Sequence, residues 1–198
     1  MPSITTINLF GPLVLIGLAL IWGFGRILYL RHTAGVSVLA VLGRKRNPVE
    51  AGAGVVALVL NLYMIARPFW PSLDDRLMVQ PFAYAHWGVL LMAIGILIAM
   101  ISQMDMGRSW RIGLPEELEE DQPLITGGLY QFSRNPIYVG IMLFLLGSVV
   151  VAPGPVTIAS LVLSWIFISL IIRAEEDFLA REFGEAFDAY KARVRRWL

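Results

Sequence analysis

The longest uncharged stretch of the sequence is its strongest constraint on the fold. It runs from Asn135 to Ile172, which is 38 residues without Asp, Glu, Lys or Arg. As one α-helix it would extend about 57 Å, nearly twice the roughly 30 Å hydrocarbon core of a bilayer. The helix breakers Pro153, Gly154 and Pro155 stand near its middle. The run therefore predicts a tight helical hairpin, with spans near 136–152 and 156–172.

Three other uncharged runs each suit one membrane helix, namely Met1–Gly25, Ala51–Ala66 and Leu77–Met104. Of the 198 residues, 57% are hydrophobic and only 16% charged, a balance that a soluble domain of this size could hardly hide from water. The first run lacks a basic start and a cleavage site, so we expect a retained span rather than a signal peptide. We predict an all-α, polytopic integral membrane protein with five transmembrane helices. Residues 1–198 form one domain, with three spans in 1–104 and the remaining elements in 105–198.

The basic residues predict the orientation of these five spans. With Arg26 counted in the first loop, the 31–50 loop, the 105–135 loop and the C-terminal tail would place 14 of the 16 Lys and Arg residues on one side, and only Arg67 and Arg76 would lie opposite. The positive-inside rule makes the basic side cytoplasmic and places the N-terminus outside. We expect the membrane to be the plasma membrane of a prokaryote.

The sequence from Ala174 onwards predicts a separate amphipathic helix. Apolar side chains recur there at three- and four-residue spacing with charges between them. They are Phe183, Phe187, Tyr190, Val194 and Trp197. We expect this helix to lie along the cytoplasmic membrane surface. The acidic run from Glu116 to Asp121 is interpreted as a solvated surface.

The composition also argues against several kinds of partner. The net charge is only +1, so no basic excess points to nucleic acid. Cysteine is absent and only two histidines occur, which gives a metal site little support.

Two polar clusters are expected to meet at the cytoplasmic end of the hairpin. Asn135 and Pro136 are typical of a helix N-cap and first helical position, and Arg134 precedes them. Glu175 and Glu176 follow the final span. A hairpin brings the start of one helix near the end of the next, so charges of both signs would form a membrane-level cleft. Such a cleft suits a zwitterionic or cationic small molecule, while an apolar substrate portion enters from lipid.

Three stretches between about residues 105 and 195 carry a family resemblance. They read "GRSW", "PLITGGLYQFSRNPIYVG" and "EEDFLAREFGEAFDAYKARV". In order and spacing they resemble the isoprenylcysteine carboxyl methyltransferase family and the related membrane phospholipid methyltransferases. The resemblance implies transfer of a methyl group from S-adenosylmethionine, leaving S-adenosylhomocysteine, to a lipidic or membrane-dissolved acceptor. Oxygen, nitrogen and sulfur all remain open as the methylated atom.

The resemblance also implies which residues bind the cofactor. They are Gln122, Pro123, Leu124, Ile125, Tyr130, Arg134, Asn135, Pro136, Ile137, Tyr138, Glu175 and Glu176. Arg173 takes the catalytic, acceptor-orienting role, although the family arginine stands four residues before the glutamate, where this chain has Ile171. Asn135 replaces the usual histidine and cannot carry a proton in neutral solution.

Two other classes of function stay open at this point. One is a sterol-type reductase that uses NADPH, because such reductases have a similar C-terminal segment. The other is a non-catalytic membrane scaffold or a small transporter subunit. Stabilisation by the demethylated cofactor, by a reduced nicotinamide dinucleotide or by neither would separate the three.

Overall fold

The computed structural model describes residues 4–34, 47–79, 82, 84–110 and 122–198. The acidic run 116–121 and most of the 31–50 loop lie outside these residues. The described residues form α-helices and short 3-10 turns without any strand, which confirms the all-α class. The helices are α1 Ile4–Ala34, α2 Pro48–Ala66, α3 Ser72–Leu77, α4 His86–Met106, α5 Pro136–Val151, α6 Pro155–Phe183 and α7 Glu185–Arg193.

Within the described residues, four helices are long and apolar enough to cross a membrane: α1, α2, α4 and α6. The apolar helix α5 has 16 residues and a length of about 24 Å, which is shorter than a typical hydrocarbon core. Large apolar side chains on α1 point away from the protein, with Leu20, Ile21 and Phe24 each more than 60% exposed. The protein is therefore an integral membrane protein.

The turn of the predicted hairpin is confirmed almost to the residue. Helix α5 ends at Val151 and α6 begins at Pro155, so the turn falls on the proline and glycine expected to break the run. The backbone amide of Val79 donates to the carbonyl oxygen of Pro153 at 2.7 Å, and Gly154 packs directly on the backbone of Leu77. The turn is thus held against the segment that follows α3. We call this end of the bundle the hairpin end.

The predicted helix boundary at Ala174 is wrong. Helix α6 continues to Phe183, because no proline or glycine interrupts it after the span. The break comes at Gly184, whose φ of +49° lies in the left-handed region that glycine adopts without strain. On α7, Phe187 and Tyr190 are almost fully buried against the protein. This face of α7 therefore packs on the protein rather than on lipid, and the position of α7 along the membrane surface stays a prediction.

Five helices form a closed ring. Each helix packs against two neighbours in the order α1, α2, α6, α5, α4 and back to α1. A hydrophobic core that includes Leu60, Met64, Met92 and Val151 fills the hairpin end of the ring. At the opposite end α4 finishes, α5 begins and α6 runs on towards α7. We call this opposite end the site end.

Helices α4 and α5 form the closest contact in the ring, and paired glycines make it possible. Gly95 faces Gly140, and seven residues along each helix Gly88 faces Gly147. A Cβ atom added at Gly88 would lie 2.6 Å from the carbonyl oxygen of Gly147, and each of the other three would meet its partner's carbonyl oxygen as closely. The two backbones therefore touch, as in the small-residue contacts of membrane helices.

Candidate functional site

A 3-10 turn over Gly128–Gln131 leads the chain into the site, and Asp105 at the end of α4 holds it. The backbone amide of Leu129 donates to Asp105 Oδ2 at 2.8 Å. Gly128 has a φ of +59°, and any side chain at that position would overlap the Asp105 carboxylate. The Asp105 side chain therefore lies directly against this turn.

Arg134, Glu176 and Arg196 form a charged triad beside the start of α5. Glu176 Oε1 accepts hydrogen bonds from Arg134 Nε at 3.1 Å and Nη2 at 2.8 Å. Glu176 Oε2 accepts from Arg196 Nη2 at 2.5 Å. The side chains of Arg134 and Glu176 are only 9% and 8% exposed, whereas that of Arg196 is 41% exposed. The hydrogen bonds that Arg196 donates to Glu176 raise the pKa of its guanidinium.

The residues after α7 fold back over the start of α5, and we call this segment, 194–198, the C-terminal strap. Arg134 donates from its backbone amide to Arg195 O at 2.9 Å and from Nη1 to Val194 O at 2.7 Å. The strap's Trp197 ring stacks on Trp165 of α6, with ring centroids 5.0 Å apart. The strap therefore joins the start of α5 to α6 from outside.

The side chain of Asn135 binds the C-terminal strap and does not cap the start of α5. Its Nδ2 donates to Arg196 O at 3.0 Å, and its side chain makes no capping hydrogen bond to α5. The predicted N-cap contact is therefore wrong, although Pro136 does occupy the first helical position as expected. The Ser133 hydroxyl accepts a hydrogen bond from the backbone amide of Asn135 at 3.1 Å, which helps to order the chain just before α5.

Glu175 lies next to Glu176 but has a different partner. The Tyr138 hydroxyl on α5 donates to Glu175 Oε1 at 2.8 Å. The two adjacent glutamates therefore have different partners: Glu176 pairs with two arginines, whereas Glu175 accepts a hydrogen bond from one phenol.

Tyr190 of α7 completes the site. Its hydroxyl donates to the carbonyl oxygen of Tyr130 at 2.7 Å, which fastens α7 to the 3-10 turn. Burial raises the pKa of Tyr190 to about 12, so the phenol stays a hydrogen-bond donor at neutral pH.

These elements enclose a cavity of about 450 Å³ at the site end, which we call the site cavity. Of the twelve residues predicted to bind the cofactor, eleven line it: Gln122, Pro123, Leu124, Ile125, Tyr130, Arg134, Asn135, Ile137, Tyr138, Glu175 and Glu176. Pro136 is buried beside the wall without lining it. Arg173, predicted to be catalytic, is exposed on α6 and does not line the site cavity.

Sequence reasoning missed part of this wall. The missed residues are mainly aromatic and apolar side chains, namely Trp110, Phe178, Leu179, Phe183, Phe187 and Tyr190. Of these, Trp110 is 6% exposed and packs on Leu30 of α1. The three- and four-residue spacing from Phe183 to Tyr190 was recognised as an apolar face. The sequence did not predict that this apolar face packs against the protein.

A second cavity of about 330 Å³ lies inside the helix ring, and we call it the bundle cavity. All five ring helices contribute to its wall, and most of the lining side chains are apolar, for example Ile16, Leu60 and Phe144. Gln103 and Ile141 line both this cavity and the site cavity. The site cavity, whose wall includes the charged residues Arg134, Glu175 and Glu176, thus adjoins a cavity between the helices that has no charged residue in its wall among the described residues.

The fold and site together define a polytopic helical membrane protein with a cavity at one end of its bundle whose wall contains charged residues. Residues 84–186, about half of the chain, match the model of the phospholipid methyltransferase family. The chain belongs to this methyltransferase family, which confirms the resemblance drawn from its motifs.

Individual relatives agree with this assignment. The protein-S-isoprenylcysteine O-methyltransferase of Dictyostelium discoideum is 30% identical over 142 residues, which cover 70% of this chain and 57% of the relative. A probable protein-S-isoprenylcysteine O-methyltransferase of Oryza sativa subsp. japonica is 27% identical over 185 residues, 89% of this chain and 94% of the relative. Both organisms are eukaryotes, so the prokaryotic origin stays a prediction.

A solved structure shares the fold. It is that of a eukaryotic intramembrane Ras methyltransferase, an isoprenylcysteine carboxyl methyltransferase. The match has a TM-score of 0.63 at 21% identity and covers 96% of this chain and 68% of the other. The arrangement of the helices is therefore similar along nearly the whole of this chain.

Proposed function

We propose that the protein transfers a methyl group from S-adenosylmethionine to the carboxylate of a prenylcysteine-like acceptor in the membrane. The observation that carries this proposal is the junction of the two cavities at Gln103 and Ile141. An acceptor with a charged head and an apolar tail needs adjoining chambers of these two kinds. The names of the relatives agree with such an acceptor.

The site cavity fits the proposed cofactor in size and in chemistry. Its volume of about 450 Å³ falls within the range of small-molecule sites. Glu175 offers a carboxylate for a cationic or hydroxyl-bearing part of the cofactor, and Tyr130 and Phe187 offer aromatic surface for a purine ring. Arg134 was predicted to bind the cofactor's carboxylate. Because Glu176 and the strap occupy its guanidinium, we propose that it shapes the cavity wall instead.

A carboxylate acceptor suits the residues that line the site cavity. S-adenosylmethionine supplies an electrophilic methyl carbon: a carboxylate oxygen bonds to it as the carbon–sulfur bond breaks, and the bonding electron pair remains on sulfur. This step releases no proton, so it requires no general base. No histidine lines the cavity among the described residues, and Asn135 is engaged by the strap. The protein's own part is to position the two reactants and exclude water.

The role of Arg173 stays a prediction. Its exposed position on α6, outside the wall of the site cavity, gives the acceptor-orienting role no added support. An Arg173→Ala variant with an unchanged KM for the acceptor would rule that role out.

We also propose five membrane crossings, with the site end in the cytoplasm and the N-terminus outside. In support, α5 is apolar and packs along α4 within the ring, although it is short. The chain contains no cysteine, so single cysteines at Asp75 and Ala186 report orientation cleanly. In intact cells an impermeant maleimide should label only the residue 75 variant. Labelling of the residue 186 variant instead would reverse the orientation.

The proposed activity is tested with purified protein in nanodiscs and a methyl donor labelled in its methyl group. Transfer to N-acetyl-S-farnesylcysteine should yield a product that releases labelled methanol in base, because a methyl ester is hydrolysed. Phosphatidylethanolamine serves as the alternative acceptor, and its N-methyl product resists base. Label confined to the base-stable product would refute carboxyl methylation, and stabilisation by NADPH alone would favour a reductase.

A further inference from the structure

Gln103 of α4 occupies the junction between the two cavities and is held in place from two directions. Its side-chain Oε1 accepts a hydrogen bond from the Trp22 indole on α1 at 2.8 Å. Its backbone carbonyl oxygen accepts from Arg26 Nη2 at 3.3 Å, and the same nitrogen donates to Gly107 O at 2.9 Å. Both the backbone and the amide of Gln103 are therefore fixed relative to α1.

The partner of Gln103 also determines which way its amide faces. An indole N–H can only donate, so the amide oxygen must point to Trp22 and the amine Nε2 must point away from it. Among the described residues this amine makes no hydrogen bond, and it is not fully buried. Gln103 thus presents a donor, and no acceptor, where the site cavity and the bundle cavity adjoin.

Other polar side chains in the bundle cavity do not offer this combination. The Asn61 amine is used within its own helix, where Nδ2 donates to Ala57 O at 2.8 Å. Ser164 lies on the opposite helix α6 and lines only the bundle cavity. Gln103 is therefore the fixed amide donor that both chambers share.

We propose that Gln103 determines specificity for a carboxylate acceptor. Its Nε2 amine donates to the carboxylate oxygen that is not methylated and so fixes where the charged head ends and the apolar tail begins. Trp22 is the positioning residue that keeps the donor facing the acceptor. This inference rests on the proposed function for the chemistry of its ligand.

The test compares two ligands that differ only in the carboxylate. N-acetyl-S-farnesylcysteine carries it, and N-acetyl-S-farnesylcysteamine lacks it. Dissociation constants are measured by titration calorimetry on the full chain in nanodiscs with S-adenosylhomocysteine present, and KM and kcat are measured separately. In Gln103→Leu the carboxylate ligand should bind about tenfold to a hundredfold more weakly, as expected for a lost hydrogen bond to a charged group. The carboxylate-free ligand should bind as before.

Three further variants sharpen the result. Gln103→Glu places a negative charge against the carboxylate and should weaken its binding more than Gln103→Leu does. Trp22→Phe leaves the amide free to turn and should raise KM by a smaller factor. Ser102→Ala is the matched control, because the hydroxyl of this neighbouring residue donates to Ile98 O of its own helix, and it should bind both ligands normally.

The outcomes separate this inference from the proposed function. Equal weakening of both ligands in Gln103→Leu, or no weakening of either, would overturn the inference while methyl transfer by the unaltered protein keeps the function. Selective weakening of the carboxylate ligand in a protein that transfers no methyl group would support the inference and reject the function. Failure of the unaltered protein to bind either ligand would reject both.

Discussion

Arg134 and Glu176 form a 2.8 Å ion pair whose two side chains are both more than nine-tenths withdrawn from solvent. The pair joins the start of α5 to α6, and the C-terminal strap closes over it through Val194 and Arg196. Removing one partner of a buried pair leaves the other charge without compensation, which costs more than the pair itself contributes. The pair therefore governs the stability of the whole site wall.

We predict that Glu176→Gln destabilises the protein by about 3 kcal/mol, because it leaves two guanidinium groups beside a neutral amide. For a chain of this size that corresponds to a fall in Tm of about 6 to 12 °C, measured by thermal unfolding in detergent. Arg196→Ala should cost about 1 kcal/mol or less, since its side chain is 41% exposed. Equal losses in the two variants would contradict the unequal roles assigned here.

Glu175→Gln should abolish or strongly reduce binding of S-adenosylhomocysteine without lowering the Tm appreciably. Glu175 lines the site cavity and its partner is the neutral Tyr138 hydroxyl, so the substitution removes a charge rather than breaking an ion pair. Titration calorimetry gives the affinity. Glu182→Gln, on the same helix but exposed and outside the cavity wall, is the matched control and should bind normally. Unchanged affinity in Glu175→Gln would refute its assignment to the cofactor.

Gly95→Ala should destabilise the protein by about 1 to 3 kcal/mol, because the added methyl group would overlap the carbonyl oxygen of Gly140 and force α4 and α5 apart. Gly54→Ala on α2 is the matched control, since nothing lies within 4 Å of its position. That variant should be neutral, or stabilising by up to about 1 kcal/mol through helix propensity. Thermal unfolding of the two variants under the same conditions decides the point.

Gly128→Ala should loosen the turn that carries Tyr130. Alanine in the left-handed region costs about 1 to 2 kcal/mol, and the added methyl group also meets the Asp105 carboxylate. Asp105→Ala removes that steric overlap together with the hydrogen bond to Leu129. The double variant should therefore be more stable than the sum of the single losses predicts. Strict additivity of the three unfolding free energies would show that Asp105 does not confine Gly128.

The sequence was a good guide to the hairpin turn and to residues that line the site cavity, and the reason is physical. Proline and glycine act locally, so Pro153, Gly154 and Pro155 determined the turn whatever surrounded them. A long run without charged residues likewise predicts a membrane helix from its own composition, without any information about distant residues. The residues of the cavity wall from Gln122 to Tyr138 and at Glu175 were predicted from the spacing of motifs. Such spacing indicates membership of a family and does not indicate which residues touch each other.

The features that the sequence did not predict depend on contacts between distant parts of the chain. Asparagine is a favourable N-cap residue by local preference. The Asn135 side-chain amide nevertheless donates to the carbonyl oxygen of Arg196, which lies in the strap some sixty residues later. Helix α6 passes Ala174 without a break because charged residues are good helix formers, so a change in composition does not end a helix. The inward face of α7 could not be predicted, because an amphipathic pattern does not say whether lipid or protein covers its apolar side.

The glycine contact between α4 and α5 has a consequence for how a membrane-borne molecule reaches the bundle cavity. Two backbones already in contact cannot separate without losing packing along their length, so that flank of the ring is stiff. Helices α1 and α2 share the slightest contact around the ring, and both line the cavity. If the protein has the proposed function, we expect the apolar tail of the acceptor to enter the bundle cavity from the bilayer between α1 and α2.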